Sequence, residues 1–143
     1  MSAAVGIVLG LAAAAVMIRL VENRLIYFPP RYPQGFPRED PRTLGVEEVW
    51  LTAEDGVKLN AWFFPSPASS KALLWFHGNA ENIGHGFDQL KALAALGVNV
   101  LALDYRGYGK SEGSPDEPGI YRDADAAYVY LVKIGRASCR ERV

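Results

Sequence analysis

Apolar residues fall along this chain in blocks of two lengths. The long block comes first: residues 2–18 carry no charge and are rich in Ala, Val, Leu and Ile. The later blocks are short. Ala72-Leu73-Leu74-Trp75-Phe76 and residues 98–103 are near-continuous apolar runs bounded by polar residues and glycine, the pattern of strands covered on both faces in a parallel sheet. Between them, residues 83–96 read as a helix. Each short run is followed at once by a glycine-containing turn, His77-Gly78-Asn79 after the first and Asp104-Tyr105-Arg106-Gly107-Tyr108-Gly109 after the second. The order strand, turn, helix, strand, turn predicts one right-handed βαβ crossover. Its turns then lie at the carboxyl ends of the strands, where open α/β sheets receive their ligands.

The flanking segments complete the outline. Residues 46–52 and 57–63 are β-rich runs on either side of Asp55-Gly56, a hairpin signal; the neighbouring carboxylates lack the spacing of a calcium-binding loop. Residues 28–41 hold Pro29, Pro30, Pro33, Pro37 and Pro41, which rule out a regular helix or central strand and predict a linker or a wrap. Residues 66–70 are small and form a loop. Residues 116–133 read as a helix. Pro118 suits its first turn, Asp116 and Glu117 suit its positive end, and Tyr121, Ala124, Tyr128 and Leu131 recur at helical spacing.

The two turns carry a resemblance. His77-Gly78-Asn79 followed by Asp104-Tyr105-Arg106-Gly107-Tyr108-Gly109-Lys110-Ser111-Glu112-Gly113 resembles the α/β-hydrolase superfamily, and within it a subgroup of serine hydrolases that often carry an amino-terminal membrane segment. The resemblance covers about residues 25–133. It implies the amino-terminal portion of an α/β-hydrolase sheet, strands one to four with flanking helices, acting on a carboxylic ester, thioester or amide. It also implies that the main chain at Asn79 and Ala80 forms an oxyanion hole, with a second amide supplied by the residue after the nucleophile. His77, Gly78, Asp104, Arg106 and Gly107 would support the two loops, with His77 holding its turn by hydrogen bonding rather than transferring protons.

The family's G-x-S-x-G is absent from the chain, and no histidine follows His85. Nucleophile, acid and base are therefore expected outside these residues, and the chain as written is expected to be inactive: an ester hydrolase needs a hydroxyl activated by an adjacent base. The chain reads as the front part of a hydrolase, and the resemblance implies the family's strand order, which places Ala72–Phe76 between the strand ending at Leu103 and the strand that would bear the serine. A non-catalytic binding or scaffold protein on the same fold is the alternative. Ser111 reads as a loop hydroxyl and His85 as a surface or capping residue. Asp123 and Asp125 read as lying on the solvated side of the last helix, and Trp50, Trp62 and Trp75 as core or interface. Gly109-Lys110-Ser111 lacks the earlier glycine of a phosphate-binding loop, since Asp104 stands there. A dinucleotide fingerprint from Gly107 fails at Glu112.

Composition narrows the partners. The chain has 143 residues, a net charge of −1 and one cysteine. The charge argues against a nucleic-acid binder, and a lone Cys139 excludes an intrachain disulfide. No ligand cluster implies a metal or cofactor. The expected partners are a small-molecule or acyl substrate and a membrane; the oligomeric state is left open. Residues 1–26 are expected to be a single-pass membrane anchor or signal segment, with a cleaved signal peptide as the competing reading; the apolar run lacks a preceding basic region. Arg19, Arg24 and Arg31 follow the apolar run, which places the hydrolase part on the cytoplasmic side. Residues 27–44 then form the Pro-rich linker and 45–133 a truncated hydrolase domain. Residues 134–143 hold three arginines and the cysteine where a buried strand is expected. One choice of their codons resembles a sequencing adapter, so they are expected to be a non-native tail.

Overall fold

The computed structural model describes residues 3–140, without the side chains at 3, 4, 19, 20 and 135–140. Arg19 and the tail side chains from Gly135 onward therefore lie outside the described residues, as do 141–143 altogether. Helix α1 spans Ala3–Ile26. Then come β1 (Glu47–Thr52), β2 (Lys58–Phe64), β3 (Ala72–Phe76), α2 (Phe87–Ala94), β4 (Asn99–Leu103) and α3 (Glu117–Arg140).

The strands form one mixed sheet in the order β1-β2-β4-β3. The hairpin expected at Asp55-Gly56 joins β1 and β2 antiparallel, Thr52 opposite Lys58. Ala53 N–H donates to Val57 O at 2.9 Å, and Gly56 takes a φ of +86°, which glycine adopts without strain. Strand β2 also pairs antiparallel with β4, and β4 pairs parallel with β3, Phe76 opposite Leu103.

Alternation along the strands divides the core between the two faces. Leu59, Ala61 and Phe63 of β2 and Leu101 and Leu103 of β4 pack with Ala127 of α3. Trp62 and Phe64 of β2 and Val100 and Ala102 of β4 face the other way, onto Ile83, Phe87 and Leu90. Strand β3 is less covered than β2 and β4. Leu73, Leu74 and Trp75 are only half-buried and Phe76 is exposed, because β3 closes the row and pairs on one edge alone. Trp50 is exposed, Trp62 buried and Trp75 half-buried.

Two elements differ from the sequence expectation. Helix α2 begins at Phe87, not 83. The Asn82-Ile83-Gly84-His85-Gly86 stretch is a loop, knotted by Asn82, whose Oδ1 accepts from Gly84 N at 3.1 Å and whose Nδ2 donates to Gln34 O at 2.8 Å. In α3, Tyr121 and Tyr128 are exposed, and the helix instead presents Asp123, Ala127 and Tyr130 to the sheet.

The proline-rich stretch is a wrap. Tyr32 N donates to Gly109 O at 3.0 Å and Gly109 N to Pro30 O at 2.9 Å. Arg31 reaches Ser111 O and Gly113 O at 2.7 and 2.9 Å. The Phe36 ring meets Trp62 edge-on at 5.3 Å.

Along α1, Val5, Ile7, Val8, Leu9, Leu11, Val16, Met17 and Ile18 are all exposed. Among the described residues, which leave out side chains at both ends of the 5–18 run, no helix is long and apolar enough to cross a membrane.

Candidate active site

Parallel pairing of β3 with β4 brings their two turns out side by side at the same end of the sheet. The turn after β4 is braced from within. Asp104 N donates to Asn60 O at 2.9 Å, Gly107 N to Glu112 O at 2.8 Å, and Glu112 N to Lys58 O at 2.9 Å. Gly107 and Gly109 take positive φ values of 82° and 46°. At Gly109 a Cβ would stand 1.9 Å from Asp104 Oδ2, so backbone conformation and space both require glycine. Ser111 is buried; its Oγ donates to Asp104 O at 2.7 Å and accepts from Asn60 N at 2.8 Å. Both partners are main chain, so this hydroxyl closes the turn and is not presented as a nucleophile.

Arg106 is buried and fully engaged. Its Nε and an Nη bond Asp123 Oδ1 at 3.0 and 2.8 Å, and its backbone N–H donates to Asp123 Oδ2 at 2.8 Å. Its two Nη atoms reach the Asp55 carboxylate at 2.8 and 3.1 Å. This corrects the placement of Asp123 on a solvated face: it is fully buried, whereas Asp125 is exposed. A buried guanidinium needs a carboxylate partner, and that need turns the helix. The Arg106 hydrogen bonds also hold the Asp55 carboxyl below its ordinary range. Lys110, next along the turn, pairs with Glu48.

Asp104 is fully buried beneath the turn after β3. Its Oδ1 accepts from Ile83 N at 2.8 Å, and burial pushes its carboxyl up to about 7. The buried His77 ring has Nδ1 2.8 Å from Gly78 O, and burial lowers its affinity for a proton. The turn itself is open. Gly78, Asn79 and Ala80 are exposed. Gly78 N donates to Glu81 Oε2 at 3.2 Å, and Glu81 N to Gly78 O at 3.2 Å. Among the described residues, nothing accepts from the main-chain N–H groups of Asn79 and Ala80. The Asn79 side chain is committed elsewhere: Nδ2 donates to Ile26 O, and Oδ1 accepts from Tyr108 Oη at 2.9 Å and, more weakly, from Phe28 N at 3.4 Å. His85 is exposed and bonds Asn82, 2.9 Å from Nδ1 to Oδ1.

The structure thus brings His77, Gly78, Asn79, Asp104, Arg106 and Gly107 to one end of the sheet. Four residues of this network escaped the sequence reading: Asp55, Asn60, Asn82 and Asp123. The available signal lay in Asp123, four residues before Ala127 and therefore on its helix face.

Comparison with known proteins agrees with the fold. Residues 67–128 match the family model described as Serine aminopeptidase, S33. The chain is 39% identical over 130 residues to the alpha/beta hydrolase domain-containing protein WAV2 of Arabidopsis thaliana, covering 85% of this chain and 42% of that protein. It is 36% identical over 115 residues to the membrane protein YNL320W of Saccharomyces cerevisiae, covering 77% and 40%. Among solved structures it superposes on the Pyrococcus furiosus esterase Pf2001 with a TM-score of 0.60 and 30% identity, covering 73% of this chain and 42% of that one. The chain spans about two fifths of the length of the curated relatives it matches. Sheet order, paired turns and these similarities together define an α/β-hydrolase-like fold with a four-stranded mixed sheet.

Proposed function

We propose that this chain is the amino-terminal part of a membrane-anchored serine hydrolase that cleaves a carboxylic ester, thioester or amide. The observation that carries the reading is the turn after β3: an exposed backbone whose Asn79 and Ala80 N–H groups have no acceptor among the described residues, set on a buried, cross-braced neighbour. Fixed main-chain donors of this kind stabilise the charge that develops on a carbonyl oxygen under nucleophilic attack. The nucleophile would follow α3 on a strand pairing with the free edge of β3, so that its own turn rises beside Asn79. The serine would attack the carbonyl, a histidine would take its proton, and the turn at Asn79 would hold the oxyanion. Helix α1 supports the anchor. Consecutive exposed residues Ile7, Val8 and Leu9, and again Val16, Met17 and Ile18, point in successive directions 100° apart, which leaves the helix apolar all round over residues 7–18, ahead of Glu22, Asn23 and Arg24. The hydrolase part then lies on the cytoplasmic side, close to the lipid that delivers an acyl substrate.

A fluorophosphonate probe tests this. Protein expressed from the intact gene should label at one serine downstream of Lys133, and residues 1–143 alone should not label. Absence of labelling in the former would favour a binding protein on a hydrolase fold. Labelling of the 143-residue chain that disappears in Ser111→Ala would move the active site to this part of the molecule.

A further inference from the structure

Two titratable side chains lie under the open turn with little to answer them. The His77 and Asp104 side chains are 1% and 0% exposed, and Nε2 of the first is 3.7 Å from Oδ1 of the second. Nδ1 of His77 faces the Gly78 carbonyl, which can only accept, so Nδ1 carries the proton of a neutral ring and Nε2 presents a lone pair. Neither Nε2 nor Asp104 Oδ2 has a hydrogen-bond partner among the described residues. Of the described cations on the turn after β4, neither is spare to neutralise the carboxylate: Arg106 is taken by Asp123 and Asp55, and Lys110 by Glu48.

We infer that His77 and Asp104 hold one proton in common and act as a positioning pair for the turn at Gly78 and Asn79; its catalytic consequence rests on the oxyanion role proposed above. With one proton the pair is neutral overall, either as carboxylic acid facing imidazole or as carboxylate facing imidazolium. When that proton leaves to solvent, a buried carboxylate faces a nitrogen lone pair, and the charge has no counter-ion. Two groups this close titrate as a pair rather than singly. Burial acts on both in the same sense, raising Asp104 to about 7 and lowering His77, which favours the neutral acid and neutral ring.

The surroundings leave the pair isolated. From the turn after β4, Tyr105 and Tyr108 pack their rings 5.1 and 4.8 Å from His77. Burial raises both phenols, Tyr105 to about 12, so they stay uncharged. Lys110 on the same turn favours the Asp104 anion through its backbone N–H and, after that, through its charge. From the loop after β3, Glu81 favours a charged His77 and His85 opposes it. None of these side chains makes a hydrogen bond to either orphaned atom. Loss of the proton therefore places a negative charge below a turn that must receive another on the substrate, and the two repel.

The ring nitrogens of His77 report the proton directly. In the full chain, labelled with 15N-histidine and held in detergent micelles, the His77 Nε2 resonance should show one step between pH 5 and 9 with its midpoint near 7. Asp104→Asn, which keeps a neutral side chain there at every pH, should remove that step. A step of the same midpoint in Asp104→Asn and the parent would overturn the pairing. If Asp104→Asn does not fold, His77→Gln serves instead: the 13C carboxyl midpoint of Asp104 should move by at least half a pH unit, and an unmoved midpoint would overturn it equally. In the protein from the intact gene the catalytic histidine titrates in both parent and Asp104→Asn, so the ratio of their kcat/KM values for a soluble short-chain ester is the readout, and parent over variant should fall by threefold or more as pH rises through about 7. A ratio that does not change with pH would reject the positioning role. If no ester is hydrolysed, the hydrolase reading fails and the catalytic consequence with it, while the nitrogen titration still decides the shared proton.

Discussion

The two turns at the end of the sheet are neighbours built on opposite plans. The one after β4 is buried through Arg106, Tyr108 and Ser111, and its guanidinium is paired inside with Asp123. The one after β3 is exposed from Gly78 to Ala80 and ties down only one side chain, that of Asn79, to main chain near the end of α1. A backbone that binds a transient charge, the role proposed for this turn, cannot also use its N–H groups within its own fold. The cost of ordering it has to be met elsewhere, and the adjoining turn meets it. Precision in the open turn is thus a property of the closed one.

That contrast can be broken most severely at Asp123. Asp123→Ala removes the carboxylate that receives Arg106 from both backbone and side chain, and leaves a buried guanidinium with Asp55 alone. Breaking a buried pair by deleting one partner costs about 3–5 kcal/mol, and the remaining Asp55 contact puts this case near the lower figure. Urea unfolding of the full-length protein should show the loss, and both turns should become susceptible to protease. A cost below 1 kcal/mol would mean that the closed turn does not depend on this pair.

Ser111→Ala should cost about 1–3 kcal/mol, the price of leaving Asn60 N–H buried without an acceptor. In the protein from the intact gene, fluorophosphonate labelling should survive in proportion to the folded fraction read from the unfolding curve. Complete loss of labelling in folded protein would give this hydroxyl a chemical role. The smallest effect is expected at Asn79. Asn79→Ala leaves its main-chain N–H in place and should lower stability by no more than about 1 kcal/mol. It should, however, quicken limited proteolysis between Leu25 and Phe28, where its side chain holds the chain. An unchanged cleavage rate would show that the Ile26 and Phe28 contacts do not order the junction.

Much of this arrangement was legible before any coordinates. The strands announced themselves because short apolar runs gave way to glycine-containing turns, and Asp55-Gly56 marked the hairpin. The turns could be placed at strand ends for the same reason. What escaped was the facing of α3. Tyr121, Ala124, Tyr128 and Leu131 form an apolar series at helical spacing, and apolarity alone would turn them inward. Satisfying Arg106 outweighed burying two tyrosines, so Asp123 faces the sheet and Tyr121 and Tyr128 face solvent. Helix α2 was overestimated because Ile83 fits a helical period, while Gly84 and Gly86 have other uses. A Cβ at Gly84 would come within 2.7 Å of the Gly35 carbonyl, and one at Gly86 within 2.4 Å of the Trp75 ring. Periodicity registers apolar content; it does not register how closely two backbones pass.

The wrap sets a practical limit on shortening this protein. A version freed of its apolar helix would ordinarily be cut just ahead of β1, after the last of the prolines. Such a cut would discard Arg31, whose guanidinium spans from Ser111 to Gly113, together with the strand-like contact between Tyr32 and Gly109. It would also strip Phe36 from Trp62. The cloning boundary that respects the molecule lies before Phe28, and a preparation that starts at residue 45 would be missing one wall of the turn after β4.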